Sequence, residues 1–247
     1  MPEFNWCDLS TFDIEAACKF YGAVAGWSHH ESDAKGGNGD YRVFYSADRS
    51  AAGVYTMPEF FQSIQMPSFW MSYVRVNSIA SVYERAGQLG AKCEIPPTAF
   101  DEQSSFALVR DPSGAGFTLY EGPELMEMDN RSAPRIELHV DSVDAIKAFY
   151  EELFGWSIVS DRRLDGRYGI SSASNSSIAS ILELDSAVKG PKNYWSVVFH
   201  VKRVADVERS VPAHGGRVLM EYDASIGYAM LEDDQGAMFC VSESIAG

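Results

Sequence analysis

The sequence has little cysteine, and none of it is arranged for a disulfide framework or a metal site. The four cysteines, Cys7, Cys18, Cys93 and Cys240, include no Cys-x-x-Cys pair. Disulfide frameworks stabilise short secreted chains, whereas 247 residues, of which 46% are hydrophobic and 13% aromatic, suffice to bury a core. We therefore expect reduced and mostly buried thiols in a cytoplasmic protein.

Positive charge is also scarce, because 20 Lys and Arg residues stand against 35 Asp and Glu residues and give a formal charge of −15. Proteins bind nucleic acids and anionic membranes largely through Lys and Arg, so the composition argues against both partners. No stretch approaches the roughly 18 consecutive apolar residues of a membrane-spanning helix. The N-terminus also lacks the basic and apolar regions of a signal peptide.

Motifs for common cofactors and for covalent catalysis are missing as well. The glycines of Gly36-Gly37-Asn38-Gly39 precede no predicted helix, so they do not predict a dinucleotide-binding loop. Cys240 has no histidine at a spacing that indicates a catalytic pair, and no order of Ser, His and Asp stands out. We expect no cofactor, and the sequence identifies no catalytic residue.

The chain does contain one short stretch that it uses twice. Residues 20–27 and 149–156 both begin with Phe-Tyr and end with Gly-Trp, and the two copies are 129 residues apart. Repetition at this distance indicates related tandem domains. Around each copy the hydrophobic pattern predicts a strand, a helix and three strands, and this order recurs twice more. We predict four such modules, at about 4–57, 68–122, 134–185 and 193–244.

Local signals predict where the helices of these modules begin and end. Candidate N-caps precede the first three helices, namely Ser10, Thr11 or Asp13, then Ser78, then Ser142. Gly26 is expected to stop the first helix, and Pro212 is expected to truncate or kink the fourth near its end.

The repeated module, the Phe-Tyr…Gly-Trp helix end and the Asp111-Pro112-Ser113-Gly114 turn before the last strand together resemble the vicinal oxygen chelate superfamily. This superfamily includes glyoxalase I, bleomycin-resistance proteins and extradiol dioxygenases, and the resemblance covers nearly the whole chain. It implies an α+β fold with two glyoxalase-like domains, each a curved mixed sheet around a cleft with helices outside. We place the domains at 1–122 and 134–247, joined by a polar linker at 123–133. The sequence leaves open a homodimer, and also an exchange of modules between chains.

The same resemblance implies where a metal ion would bind. Enzymes of the superfamily hold a divalent cation with His, Gln or Glu side chains on the first and last strands of each module. Counting from the motifs places at these positions Trp6, Met71 and Thr118 in the first domain, and Arg135, Ser196 and Cys240 in the second. Hard cations require oxygen or imidazole ligands, and a guanidinium does not deprotonate. Only Glu183 remains as a residue that could serve, so we expect no metal.

Strand alternation predicts which other side chains line the clefts. Those on the same face are Phe4, Asp8, Tyr73, Arg75 and Tyr120 in the first domain, and Glu137, His139, Val198, His200 and Ser242 in the second. The first cleft is then aromatic and weakly polar, as in small-molecule pockets, unless these residues simply fill it as core. The second could recognise a polar or anionic ligand through Arg135, unless Arg135 forms an internal ion pair with Glu137 or Glu183.

Three functions fit these observations. The favoured one is a metal-independent protein that binds a small, partly aromatic organic molecule, in the manner of bleomycin-resistance-like members. The alternatives are a lyase, dioxygenase or isomerase with a displaced metal site at Glu137, Glu183 and His139, and a non-catalytic interaction module with filled clefts. The predicted ligand-binding residues are Trp6, Asp8, Met71, Tyr73, Thr118, Tyr120, Arg135, Glu137, Glu183, Ser196 and Cys240.

Overall fold

A computed structural model gives the fold and describes residues 2–31, 41–123, 134–162, 164–173 and 177–243. The glycine stretch at 36–39 and positions 124–133 of the predicted linker lie outside these residues. Within the described ranges, no helix is long and apolar enough to cross a membrane.

The first two modules follow the predicted order of one strand, one helix and three strands. Their strands are β1 (Glu3–Thr11), β2 (Ser28–Glu31), β3 (Tyr41–Ser46), β4 (Arg49–Thr56), β5 (Phe69–Arg75), β6 (Lys92–Ala99), β7 (Ser105–Arg110) and β8 (Gly116–Glu121). Their helices are α1 (Ile14–Ala25), the short connecting helix α2 (Glu59–Ser63) and α3 (Ile79–Gln88).

Modules three and four repeat this order. Their strands are β9 (Arg135–Val140), β10 (Ser157–Ser160), β11 (Arg167–Ser171), β12 (Ala179–Glu183), β13 (Tyr194–Val201), β14 (Arg217–Asp223), β15 (Tyr228–Glu232) and β16 (Met238–Glu243). Their helices are a 3₁₀ turn (Val143–Ala145) that leads into α4 (Lys147–Phe154), the short α5 (Ser186–Lys189) and α6 (Val204–Ala213), which contains Pro212 in its last turn.

The sixteen strands of the described chain form two curved, open, mixed sheets. The first has the order β2-β3-β4-β1-β5-β8-β7-β6, and the second has the corresponding order β10-β11-β12-β9-β13-β16-β15-β14. In each module the first and last strands pair in parallel, and the other pairs are antiparallel. The predicted α+β fold of four modules in two glyoxalase-like domains is therefore confirmed, whereas the boundaries 1–122, 123–133 and 134–247 stay a prediction.

The helix ends show why this sequence folds locally as it does. Asp13 is the N-cap of α1, since its carboxylate accepts a hydrogen bond from the Ala16 amide at 3.0 Å. Gly26 and Gly155 end α1 and α4 with φ values of 71° and 68°, a left-handed conformation that favours glycine. Ser142 differs from the prediction, because its side chain makes no capping hydrogen bond.

A glutamate at the end of the last strand binds the start of the helix in three modules, and in the second it does so beside the predicted cap Ser78, whose hydroxyl accepts from the Ser81 amide. The Glu183 carboxylate accepts a hydrogen bond from the Val143 amide at 2.7 Å, and Glu121 accepts one from the amide of Ile79, also at 2.7 Å. Glu243 accepts from the first amide of α6 at 3.3 Å. A carboxylate at a helix N-terminus pairs with unsatisfied amides and with the helix dipole, so these glutamates fix each helix to its own strand pair.

The contacts divide the chain into two compact units that cut across the order of the modules. The middle unit comprises the chain up to Trp6, the stretch from Ser72 to the end of β8, and Ile136–Ser196. The terminal unit comprises Cys7–Met71, Arg135, and the chain from Val197 onward. Helices α3 and α4 pack together in the middle unit, and α1 and α6 pack together in the terminal unit. Sheets therefore pair modules one with two and three with four, while helices pair two with three and one with four.

The repeated Phe-Tyr…Gly-Trp motif forms the core of each unit. In the middle unit the Tyr150 hydroxyl donates to Asp111 at 2.8 Å and accepts from the indole N–H of Trp195 at 2.9 Å. The Tyr150 ring is stacked on Trp156 with centroids 5.9 Å apart. A buried phenol with both a donor and an acceptor partner fixes the position of the helix end against the turn of the neighbouring module.

The terminal unit contains the same arrangement. The Tyr21 hydroxyl donates to Asp233 at 3.1 Å and accepts from Trp70 at 3.0 Å, and the ring is stacked on Trp27 at 5.5 Å. Asp111 and Asp233 are the first residues of the two turns that precede the last strands. The two sequence motifs are therefore joined by one hydrogen bond in each unit.

Candidate functional site

The aromatic contacts of the last sheet identify which strand faces point away from the helices. Trp195 contacts Tyr150 in the middle unit, and Phe199 contacts Trp27 at 4.7 Å in the terminal unit. Since alternate residues of a strand point to opposite faces, Ser196, Val198 and His200 lie on the face away from these rings. This is the face that the sequence predicted for site residues of the fourth module.

The four parallel strand pairs share one register, which identifies the residues of the other two modules that correspond to Thr118 and Cys240. The paired residues are Asp8 with Gly53, Tyr73 with Thr118, Glu137 with Ser180, and Val198 with Cys240. The last-strand counterparts of Thr118 and Cys240 are therefore Gly53 and Ser180. Glu183 lies three residues further on, where it caps the helix of its module.

Glu137 is the centre of a buried polar cluster in the middle unit. It is 3% exposed, its Oε2 accepts a hydrogen bond from the Ser180 hydroxyl at 2.6 Å, and its Oε1 lies 3.3 Å from His139 Nε2. The Arg167 guanidinium is 3.2 Å from Oε2. The Tyr194 ring packs edge-on against the imidazole of His139, with centroids 5.2 Å apart. Both carboxylate oxygens are thus held by protein groups.

These contacts stabilise the charged form of the Glu137 carboxylate. Burial alone would raise the pKa of the carboxyl, but the contacts with His139, the charge of Arg167 and the Ser180 hydrogen bond outweigh it and lower the pKa to about 2. Glu137 is therefore ionised at every physiological pH. The cation that neutralises it is Arg167, so the ion pair between Glu137 and Arg135 that the sequence suggested does not form.

The first module carries a counterpart of this cluster in the terminal unit, with a tyrosine in place of the arginine. Asp8 is 5% exposed and accepts a hydrogen bond from the Tyr41 hydroxyl at 2.8 Å. Strand register places Tyr41 where β11 carries Arg167, because Val43 and Gly169 pair with Gly53 and Ser180. A Cβ at Gly53 would collide with both the Asp8 carboxylate and the Tyr41 hydroxyl. Glycine at this position therefore makes room for the pair.

A third polar group in the terminal unit consists of His200, Ser242 and Arg135. His200 and Ser242 are opposite each other on β13 and β16, with Nδ1 and Oγ 3.1 Å apart. Ser242 is buried and His200 is half-buried. Burial, together with the charge of Arg135, lowers the pKa of His200. The imidazole is therefore neutral near pH 7.

Burial separates the predicted site residues into two sets. The buried set is Trp6, Asp8, Thr118, Tyr120, Glu137, Ser196 and Cys240. Met71, Tyr73 and Glu183 are partly exposed, and Arg135 is exposed. Phe4 was expected beside Trp6, but its ring packs against Trp195 and Trp156 at 4.8 and 5.7 Å in the core of the middle unit.

These residues do not fit the divalent metal of the superfamily's enzymes. The positions concerned hold Trp6, Met71, Gly53 and Thr118 in the first sheet, and Arg135, Ser196, Ser180 and Cys240 in the second. None is a carboxylate or an imidazole, and a guanidinium repels a cation. The carboxylates nearest in sequence, Asp8 and Glu137, are already held by Tyr41 and Arg167. No group of three or more potential ligand side chains occurs in the described ranges.

The sequence missed Arg167, Ser180 and Tyr41. Ser180 had a usable signal, since β9 and β12 are the first and last strands of a module and such strands pair in parallel. Arg167 and Tyr41 are the first residues of β11 and β3, the middle strands of the antiparallel parts. Nothing in their sequence surroundings indicates that they meet a carboxylate about 30 residues earlier in the chain.

The fold and the residues described so far define a class of protein. Four strand-helix-strand-strand-strand modules, arranged in two open mixed sheets with parallel first and last strands, are the vicinal oxygen chelate architecture. A family model described as the Glyoxalase/Bleomycin resistance protein/Dioxygenase superfamily matches residues 3–119. The chain thus has the fold of this superfamily, and the first half of its sequence matches the family model.

Known relatives align along almost the whole chain. One is the protein named as the glyoxylase CFP32 of Mycobacterium tuberculosis, 29% identical over 245 residues that cover 96% of this chain and 93% of the relative. Another is the anthracycline biosynthesis protein DauV of Streptomyces sp. (strain C5), 26% identical over 255 residues with 96% and 92% coverage. The Mn(II)-bound glyoxalase from Novosphingobium aromaticivorans has the same fold, with a TM-score of 0.60, 12% identity, and 99% and 82% coverage.

Proposed function

We propose that this protein binds a small, partly aromatic organic molecule without a metal ion. The observation that carries the proposal is the shared register of the four parallel strand pairs. This register puts Gly53, Thr118, Ser180 and Cys240 at the last-strand positions. With Trp6, Met71, Arg135 and Ser196 on the first strands, these positions suit apolar contact and hydrogen bonding to an organic molecule better than a cation.

Two observations support the proposal that the ligand is aromatic. Trp6, Tyr73 and Tyr120 all lie in the middle unit at predicted site positions, and Tyr73 is partly exposed. Aromatic side chains provide large flat contact areas for planar ligands. The relative DauV is named for anthracycline biosynthesis, and anthracyclines are fused-ring aromatic compounds.

Metal-dependent catalysis at a displaced site is the alternative, and the contacts of its three candidate ligands disfavour it. Glu137 is held by Arg167, Ser180 and His139, and Glu183 caps the turn that begins at Val143. A metal would have to displace these partners. The third function, an interaction module with filled clefts, is less favoured because Met71, Tyr73 and Arg135 keep exposed surface.

The formal charge of −15 supports the further proposal that neither nucleic acid nor an anionic membrane is a partner. A homodimer stays a prediction, and sedimentation equilibrium of the full chain measures it.

The test combines metal analysis with ligand binding. We expect far less than one equivalent of zinc, nickel, iron or manganese per chain in protein purified without chelator. We also expect quenching of the intrinsic tryptophan fluorescence by a hydroxylated anthraquinone or an anthracycline, and none by an aliphatic alcohol of similar polarity. The Tyr73→Ala variant, which removes a partly exposed ring at a predicted site position, should weaken binding, whereas Tyr222→Ala, at an exposed tyrosine outside the predicted site, serves as the control. A stoichiometric metal whose removal abolishes turnover of a hemithioacetal or a catechol would refute the proposal.

A further inference from the structure

The terminal unit contains a cation that is not neutralised by the described part of the chain. Arg135 is exposed and forms no ion pair with another described residue, in a protein of formal charge −15. The carboxylates that the sequence offered as its partners have other contacts, since Glu137 binds Arg167 and Glu183 binds the Val143 amide. An unpaired guanidinium is available for an anionic ligand, which it can bind with two parallel hydrogen bonds.

His200 and Ser242 add a hydrogen-bond donor of fixed orientation to the charge of Arg135. The buried Ser242 hydroxyl requires an acceptor, and His200 Nδ1 lies 3.1 Å away. When the hydroxyl donates to Nδ1, the proton of the neutral imidazole is on Nε2. Among the described residues, no group accepts from the N–H at Nε2 of this half-buried ring. The guanidinium and the imidazole N–H are both donors from which a carboxylate can accept, and the charge of Arg135 acts on His200.

We propose that Arg135 and His200, with Ser242 as the positioning residue for the imidazole, form a carboxylate-binding subsite in the terminal unit. The inference rests on the proposed small-molecule function and narrows its ligand to an aromatic carboxylic acid. The guanidinium provides the positive charge that attracts the carboxylate, and the imidazole N–H provides a hydrogen bond that orients it. Ser242 acts through His200 and does not touch the ligand.

Binding at this subsite is linked to protonation. The charge of Arg135 is one cause of the lowered pKa of His200, and a bound carboxylate offsets that charge. The other ionisable groups on the strands next to β13 are Glu137 and His139 on β9, which contact each other, and, on β16, the Cys240 thiol and Glu243, whose carboxylate caps α6; Lys202 follows β13 directly. The ligand therefore raises the pKa of His200, and the complex takes up protons and binds more tightly as the pH falls.

The test compares benzoate with benzamide, its neutral counterpart of the same shape, by titration calorimetry of the full chain at pH 7 and low salt. We expect benzoate to bind at least about tenfold more tightly than benzamide, as a charge-assisted pair predicts. Arg135→Gln should remove this preference. Arg209→Gln, which removes another exposed arginine of the same unit, should alter neither affinity.

Proton uptake provides the second readout. Benzoate titrations in buffers of different ionisation enthalpy should show net proton uptake by the wild type and none by His200→Gln. Ser242→Ala should lower benzoate affinity by about threefold, because the imidazole then loses its fixed tautomer.

The possible outcomes separate this inference from the proposed function. If benzoate and benzamide bind equally in wild type and in Arg135→Gln, the carboxylate subsite is refuted while small-molecule binding stands. If inorganic phosphate binds as tightly as benzoate, the group is a general anion site and the inference is also wrong. If neither the benzene derivatives nor the fused-ring probes bind at millimolar concentration, both the subsite and the proposed function fail.

Discussion

Asp233 makes the stability of this protein depend on pH in a direction opposite to that of most carboxylates. Its side chain is 2% exposed and accepts hydrogen bonds from the Tyr21 hydroxyl and from the amides of Gln235 and Ala237. Burial is the largest cause that raises the pKa of this carboxyl from 3.8 to about 6, although the hydrogen bonds act against it. The folded protein therefore binds the proton of Asp233 more tightly than the unfolded chain does.

The magnitude follows from the difference between the two pKa values. A difference of about two pH units corresponds to about 3 kcal/mol at most, since one unit is worth ~1.4 kcal/mol. A raised pKa contributes stability that is complete below the unfolded value of 3.8 and is lost as the pH rises through about 6. The Asp233 contribution to the free energy of unfolding should thus fall by about 3 kcal/mol between pH 4 and pH 7.5.

Asp233→Asn isolates this contribution, because the amide oxygen can still accept from the backbone of Gln235 and Ala237 but the side chain no longer titrates. Urea unfolding of both proteins at several pH values from 4 to 7.5 gives their difference in free energy. We expect the variant to gain about 3 kcal/mol relative to wild type across this range. Asp48→Asn, in an exposed turn, changes the net charge equally and should give a constant difference. Parallel curves for wild type and Asp233→Asn would refute the reasoning.

Three further predictions concern the other buried polar groups, and urea unfolding at pH 7 measures each of them. Tyr150→Phe should lower the free energy of unfolding by about 3 kcal/mol, because it leaves two buried hydrogen-bonding groups unpaired, and a loss below 1 kcal/mol would contradict the assigned pair. Gly53→Ala should lower it by about 2 kcal/mol by forcing the Asp8 carboxylate away from its partner, whereas no change would mean that the strand shifts freely. Arg167→Gln should lower it by about 3 kcal/mol and raise the pKa of Glu137, which NMR titration measures, and an unaltered pKa would show that another group holds the charge.

The elements of the fold were largely predictable from the sequence. Helix α1 could be placed because its apolar residues follow a helical period and because Asp13 and Gly26 provide the end signals. The faces of β13 and β16 were predictable for a similar reason, since alternation in a strand is a local property. Ser142 was the exception, because Glu183, a residue about 40 positions later, takes over the capping hydrogen bond.

The candidate site was predictable only in part. The positions of Trp6, Met71, Arg135 and Ser196 followed from counting along single strands. The residue opposite Glu137 could not be found in this way. Ser180 takes that position because β12 pairs with β9, and the sequence next to Ser180 does not indicate this pairing. Counting within one segment therefore identified Glu183 as the candidate for the last-strand position of the third module, whereas the strand register identifies Ser180 at that position.

The sequence by itself determined the repeated module, its helix ends and the chemical character of the residues on each strand, because these depend on neighbours within a few positions. Only the tertiary structure decided that Glu137 pairs with Arg167, that Arg135 has no ion pair with another described residue, and that Tyr21 reaches Asp233, 212 residues away. Such pairs depend on strand register and on which helices pack together. The sequence around a charged or phenolic side chain does not identify the partner that tertiary packing places next to it.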